Sequence, residues 1–274
     1  MSGRPIITLL TDFGLEDPFV GVMKGVILGI NPEAQIVDLC HLVRPQDVFE
    51  AAFILGISFE HFPPRTIHVA VVDPGVGTER KIVAVEAHGA FFIAPDNGIL
   101  SFVLREIAGE EEGFCPKPRE REIRPPFRAV RISNPRFWRH PVSRTFHGRD
   151  IFAPTAAHLS LGVPLEAFGE ELGTLNLFPI PKPRYEPDGS IFGHVVHIDR
   201  FGNLITDVPG DAVSEKAVIQ IGGHMIRGVC RSYAEGEGLL ALVGSHNFLE
   251  IALKDGSAAL ALNARRGQEV RIKN

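Results

Sequence analysis

The sequence predicts an α/β domain with a central, mainly parallel sheet flanked by helices, followed by a smaller all-β, barrel-like domain. Three observations carry this. Apolar runs of strand length alternate with helical stretches through the first 72 residues, the rhythm of βαβ units whose sheet is covered on both faces. Four prolines crowd into the otherwise polar stretch Phe178–Gly189, which suits a boundary rather than an element. Beyond it, short apolar runs are separated by Gly-rich turns, as in a small antiparallel barrel or sandwich.

The elements follow in order. Ile6–Leu10 reads as a buried strand, Thr11–Asp17 as a turn, and Pro18–Ile30 as a helix bounded by its leading proline and by Asn31-Pro32. A second strand at Ile36–Leu39, a second helix at Gln46–His61 and a third strand at Thr66–Val72 continue the alternation. Ile82–Ala87 and Ala90–Ala94 flank His88-Gly89, a hairpin turn. Helices over Gly98–Glu106 and Asp150–Leu161 complete a first domain of residues 1–178. A Pro-rich linker, 179–189, leads to a second domain, 190–274. Its strands are expected at Ile191–Ile198, Leu204–Thr206, Ala217–Ile221, Val229–Ser232, Leu239–Val243, Phe248–Ala252 and Glu269–Ile272.

Composition excludes several function classes. The 274 residues carry 28 Lys plus Arg against 33 Asp plus Glu, a net charge of −5, which is the wrong sign for gripping nucleic-acid phosphates. Residues Lys117–Arg149 hold nine arginines and one lysine, but with no helical or strand period, so a solvated or subunit-facing loop is expected there. The three cysteines, Cys40, Cys115 and Cys230, form no CxxC pair; a reducing cytoplasm fits them better than a disulfide framework or a zinc knuckle. The longest apolar run, Phe19–Ile30, is interrupted by Lys24 and falls short of the roughly 20 residues of a membrane span. The N-terminus reaches Asp12 after a very short apolar run, unlike a secretory leader.

Enzymes on open α/β sheets work at the carboxyl ends of strands. Asp12 follows the first strand; taken alone it suits a turn or a helix cap, and its two oxygens also suit a vicinal diol. Asp73 leaves the third strand into Pro74-Gly75, with Arg80 placed to fold back on it, either as an oriented acid or as an ion pair that stabilises the turn. The Gly75-x-Gly77 here lacks both GxGxxG and a P-loop lysine, so nucleotide phosphates are not implied. Pro95-Asp96-Asn97-Gly98 reads as a tight turn. His147, between Phe146 and Gly148, is the most catalytically suggestive of the eleven histidines. Asn203 offers the donor and acceptor of an adenine edge, although Asn after Gly202 is also ordinary turn chemistry. No local spacing of Asp, His or Cys supports a metal site.

Taken in order, these segments form a specific set: TDFGxxDxxVGxxKG (Thr11–Gly25), VVDPGVGxxR (Val71–Arg80), APDNGxL (Ala94–Leu100), TFHGRDxFAPxAAHL (Thr145–Leu159), IDRFGNLxT (Ile198–Thr206) and LEIA…GSAA (Leu249–Ala259). Over nearly the whole chain the set resembles the S-adenosyl-L-methionine hydroxide adenosyltransferase family. The resemblance implies hydrolysis of S-adenosyl-L-methionine to adenosine and L-methionine, without a cofactor, by in-line attack of activated water on the ribose C5′. It implies that Asp73, Arg80 and His147 activate the water. Asp12 would hold the ribose hydroxyls, Phe146 and Phe201 would wall the sugar and sulfonium, and Asn203 and Tyr233 would read and stack the adenine. Asp199, Ser245 and Glu250 would hold the methionine end, where His246 and Lys254 depart from the arginine and asparagine of halogenating members. A homotrimer with sites between subunits is implied as well. Two alternatives are a halogenase acting on the same substrate and a non-catalytic adenosine or S-adenosyl-L-methionine binder. Halogenating members carry tyrosine at the position of Asp73 and lack partners matching Arg80 and His147, and a mere binder needs none of the three.

Overall fold

The structure is a computed structural model that describes residues 3–114 and 117–274; Cys115 lies outside them. The chain forms two compact units, Met1–Gly109 with Pro116–Pro179, and Glu110–Cys115 with Ile180–Asn274.

The first unit is built on a mixed six-stranded sheet. It comprises β1 (Ile6–Thr11), β2 (Gln35–Cys40), β3 (Ile67–Val71), β4 (Ile82–Ala87), β5 (Ala90–Pro95) and the strand Arg128–Arg131, in the order β2-β1-β3-β5-β4 with Arg128–Arg131 at the edge. The pairs β1/β2, β1/β3 and β3/β5 are parallel. The sheet turns antiparallel at β4/β5 because two residues alone join these strands, and only a hairpin can be closed so tightly. His88 and Gly89 lie at φ 52° and 71°, both left-handed as a type I′ turn requires.

Strand side chains alternate between the faces of the sheet. Ile7, Leu9, Val69 and Val71 join one apolar cluster with Met23 and Ile27 of helix α1 (Phe19–Ile30) and with Phe152, Ala156 and Ala157. Of their neighbours on the alternate positions, Thr8 bonds the buried His68, whose ring stacks on Phe92. Helix α2 (Val48–Ser58) starts at Asp47, whose carboxylate accepts from the Glu50 amide, and its Phe53 meets Phe102 edge to face.

Two expected helices differ from expectation. Over Gly98–Glu106 the chain runs through turns, and only Arg105–Ala108 is helical; Gly98, at φ 101°, lies outside the helical region. The helix expected from Asp150 begins instead as a π-helical turn, Gly148–Phe152, and becomes α-helical at Ala153–Ser160. The Arg-rich stretch is no featureless loop. Arg119–Glu122 pairs with Thr174–Leu177, and Arg128–Arg131 with β4. Arg128 meets Glu86 and Glu166, Arg131 meets Glu170, and Arg139 and Arg149 meet Asp150.

The second unit is barrel-like and antiparallel. Its strands run His224–Arg227, Val218–Ile221, Glu269–Lys273, Ser190–Ile198, Leu204–Pro209, Phe248–Leu253 and Leu239–Val243 in spatial order, with Arg184–Tyr185 also on Ser190–Ile198. Val195, Leu204, Ile219, Leu249, Ile251 and Ile272 pack inside it. Val229–Ser232 is not a strand: it contributes one isolated bridge, Cys230 to Leu242, and the strand lies at His224–Arg227. The turn at Gly222-Gly223, with φ 54° and 81°, folds that strand back on Val218–Ile221. Within 179–189, Ile180–Lys182 pairs with Glu110–Glu112, so this stretch holds short strands of the second unit. Among the described residues, no helix is long and apolar enough to cross a membrane.

Candidate active site

In the first unit, three loops meet at the carboxyl end of the sheet around a cavity of about 380 Å³. The exit of β1 supplies Asp12 and Phe13, the exit of β3 supplies Asp73, Pro74 and Val76, and the segment leading into the π-helical turn, with the turn's first residue, supplies Thr145–Gly148. Phe19, Gln46 and Val71 complete its wall.

Asp73, Arg80 and His147 are brought together. Arg80 Nε lies 3.0 and 2.9 Å from the two Asp73 oxygens, and its Nη2 is 2.5 Å from Oδ2. The same Nη2 lies 2.7 Å from His147 Nδ1. The side chains of Asp73 and Arg80 are only 6% and 13% exposed, so this fork is held largely away from water. A guanidinium only donates. His147 Nδ1 must therefore accept, which leaves the proton of the neutral ring on Nε2. Burial first, and the Arg80 charge second, push the His147 pKa below its usual value, so the imidazole is neutral near pH 7.

Two devices hold these loops in place. Asp150, fully buried, accepts from the Ser143 amide at 2.8 Å and from Arg149 Nε at 2.7 Å, which ties down the segment that ends in His147. Burial opposes its ionisation, but these partners outweigh that and hold its carboxyl below the usual range. Gly77, at φ 80°, lets the Asp73 loop pass so close to the Arg144 carbonyl that a Cβ would lie 2.5 Å from its oxygen.

Asp12 has one oxygen engaged, since Oδ2 accepts the Gln46 amide at 2.8 Å. Phe146 packs edge-on against Phe13 and Phe19, with centroids 5.9 and 5.1 Å apart. Sequence reasoning picked out Phe146 and missed Phe13 and Phe19. The signal available was an excess of phenylalanine, 19 against two Tyr and one Trp, with Phe13 inside the Thr11–Gly14 turn.

The second unit carries its own concavity, about 550 Å³, lined by Phe201, Asn203, Tyr233, Leu253 and Lys254 among others. Asp199 shapes it by accepting from the amides of Phe201 and Asn203, both at 2.9 Å, and from Asn203 Nδ2 at 3.0 Å. That fixes the Asn203 amide, whose oxygen and second N–H have no partner among the described residues. The Tyr233 hydroxyl donates to Glu250 at 2.5 Å. Burial and the nearby Asp199 raise the Glu250 pKa, and burial raises that of Tyr233. Asp199 is thus spent inside the turn. Ser245 is exposed on the turn before Phe248–Leu253 and does not line this concavity. Among the described residues, no group of three His, Cys, Asp or Glu is placed to hold a metal ion.

Residues 7–169 match the SAM hydroxide adenosyltransferase N-terminal domain, and residues 193–271 match its C-terminal domain. The chain belongs to the SAM hydroxide adenosyltransferase family. An (R)-S-adenosyl-L-methionine hydrolase of Thermus thermophilus is 39% identical over 98% of this chain and 99% of its own. Another of that name, from Salinispora arenicola, is 33% identical over 99% of each. Fluorinases are more distant members of this similarity group, with that of Nocardia brasiliensis 27% identical over 98% of this chain and 97% of its own. A solved structure of an uncharacterized conserved protein from Thermotoga maritima superposes with a TM-score of 0.85, at 35% identity, covering 98% of this chain and 100% of that one.

In this adenosyltransferase family member, the neutral His147 accepting from Arg80 makes a pH prediction. Protonating Nδ1 breaks the contact with a permanent cation, so activity is expected to be lost as pH falls through the lowered histidine pKa and to be flat above it. A kcat profile from pH 4 to 8 tests this: the acid limb should lie below about 6.5, the ordinary histidine value, and a limb at or above 6.5 contradicts it.

Proposed function

We propose that the chain hydrolyses S-adenosyl-L-methionine to adenosine and L-methionine, with Asp73, Arg80 and His147 as the group that activates water. The observation that carries this is the largely buried Asp73–Arg80 pair joined to a half-buried His147 on the wall of a cavity lined by Phe13, Phe19 and Phe146. The sulfonium leaves as a neutral thioether, so no acid is needed at the leaving group. What the reaction needs is an oriented nucleophile. Asp73 keeps lone pairs beyond those used by Arg80 and takes a proton from water as its oxygen bonds to C5′; the C5′–S bond breaks, and the proton passes to solvent. Arg80 and the Nε2–H of His147 stabilise the hydroxide that develops. Aromatic faces near the sulfonium favour a cation while excluding bulk water.

A carboxylate beside the nucleophile position repels halide, which favours water over the halogenase reaction. We assign Asp12 to the ribose diol and Asn203 with Tyr233 to the adenine. Glu250 is assigned to the methionine end, with Ser245 on the adjoining turn, whereas Asp199, engaged by Phe201 and Asn203, serves to orient Asn203. We further propose a homotrimer in which the Asn203 concavity of one subunit faces the Asp73 cavity of another. The exposed aromatics support this: Phe201 is 78% and Tyr233 49% exposed, more than a finished adenosine site would leave. No cofactor enters the chemistry, and the free Cys40 and Cys230 suit a reducing cytoplasm.

The relatives' name specifies the (R) sulfonium epimer, and we take that epimer as the substrate. Purified protein supplied separately with the (R) and (S) epimers in halide-free buffer is expected to release equal amounts of adenosine and methionine from (R). Intact substrate in both tubes would overturn hydrolysis, chloro- or fluoro-adenosine on adding halide would overturn the choice of water, and faster release from (S) would overturn the epimer.

A further inference from the structure

We infer that Asn97 is a positioning residue for the water-activating group, one half of a clamp that sets the spacing between Asp73 and Arg80; this rests on the function proposed above. The topology creates the need for such a clamp. Asp73 follows β3 and Arg80 precedes β4, yet these strands are not neighbours, because β5 lies between them. The loop that carries both groups must therefore cross the end of β5.

The turn that leaves β5 ties down both ends of the crossing. Asn97 Nδ2 donates to the carbonyl of Val72 at 2.9 Å, next to Asp73, and the Asp96 amide donates to the carbonyl of Lys81 at 3.0 Å, next to Arg80. The Asn97 amide has one orientation, since its Oδ1 accepts the Ile99 amide. Asp96 is anchored in turn: its two oxygens accept from the Asn176 amide at 2.7 Å and from Asn176 Nδ2 at 2.9 Å. Consecutive residues of one rigid turn thus hold the peptides flanking the acid and its arginine. Neither side chain lines the cavity, so the clamp acts on alignment rather than on substrate affinity, and small errors of alignment are costly in rate.

Asn97→Ala and Asn97→Asp both remove the donor to Val72, and the second sets a carboxylate against that carbonyl. Each is expected to lower kcat about 10- to 100-fold with the Kd for S-adenosyl-L-methionine within about twofold, as expected for a group that acts on the transition state alone. Ser101→Ala serves as the control. It removes bonds of the same turn to Gly98 and Phe178 but leaves Val72 alone, so it should lower the melting temperature with little change in kcat. A direct readout is the 15N signal of Arg80 Nε, whose proton is held by Asp73 in the parent and should shift and exchange faster in both Asn97 variants but not in Ser101→Ala. The inference fails if kcat and the Arg80 signal stay at parent values, or if Ser101→Ala reproduces both changes. If the parent protein turns over no substrate while the Arg80 signal still responds only to Asn97, hydrolysis fails and the clamp stands.

Discussion

Asp73→Asn is expected to cut kcat by about 10²- to 10⁴-fold, the range for loss of a positioned proton acceptor, while leaving the Kd for S-adenosyl-L-methionine within a few-fold. The substitution is nearly isosteric, so the cavity keeps its shape. What changes is the chemistry of two atoms. Asparagine offers one acceptor oxygen where the carboxylate offered two, and its NH2 group faces an arginine that can only donate. The fork of contacts at 2.5–3.0 Å between Arg80 and Asp73 cannot survive intact, and no base remains to take the proton of the attacking water. Single-turnover measurement of adenosine release gives kcat apart from binding, and calorimetric titration of the slow variant gives Kd. A loss carried by Kd with kcat preserved would make Asp73 a binding residue and remove it from the chemistry.

Much of the fold was legible because burial imposes periodicity. β1 and β3 are buried along almost their whole length, so they read as apolar runs interrupted only by Thr8 and Thr11 and by His68, and the His88-Gly89 turn has the residue types its φ angles demand. The parts that were missed lack such a constraint. Arg119–Glu122 is mostly exposed and made only of charged residues, held by backbone pairing to Thr174–Leu177, for which sequence carries no local sign. Ile180–Lys182 pairs with a segment about 70 residues earlier, so proline content suggested a linker where long-range pairing makes strands. The candidate site divides in the same way. Asp73, Arg80 and His147 stood out by residue type, and resemblance joined them, but the 2.7 Å contact that settles the histidine tautomer comes only from the fold. The Asp96-Asn97 turn looked like punctuation because its partners, Val72, Lys81 and Asn176, are distant in sequence.

Arg80 is expected to be the position where charge and geometry separate most clearly. Arg80→Lys keeps a cation but replaces a planar fork of five donors by a point charge on a flexible stem. One ammonium cannot span both Asp73 oxygens and His147 Nδ1 at 2.5–3.0 Å, so kcat is expected to fall about 10²-fold, as for loss of one preorganised electrostatic donor, while the fold survives. Arg80→Ala removes the partner as well and leaves the Asp73 carboxylate, 6% exposed, without a counter-charge. Removing one side of such a buried pair costs about 3–5 kcal/mol, so the alanine variant should lose stability in urea as well as activity. The alanine variant should also relieve the charge that helps depress the His147 pKa, so a ring-proton NMR titration of His147 should show it protonating at higher pH than in the parent. Urea melts of the two variants, set beside their kcat values, test the division. If lysine restores full activity, Arg80 acts by charge alone and the fork has no part in aligning the water.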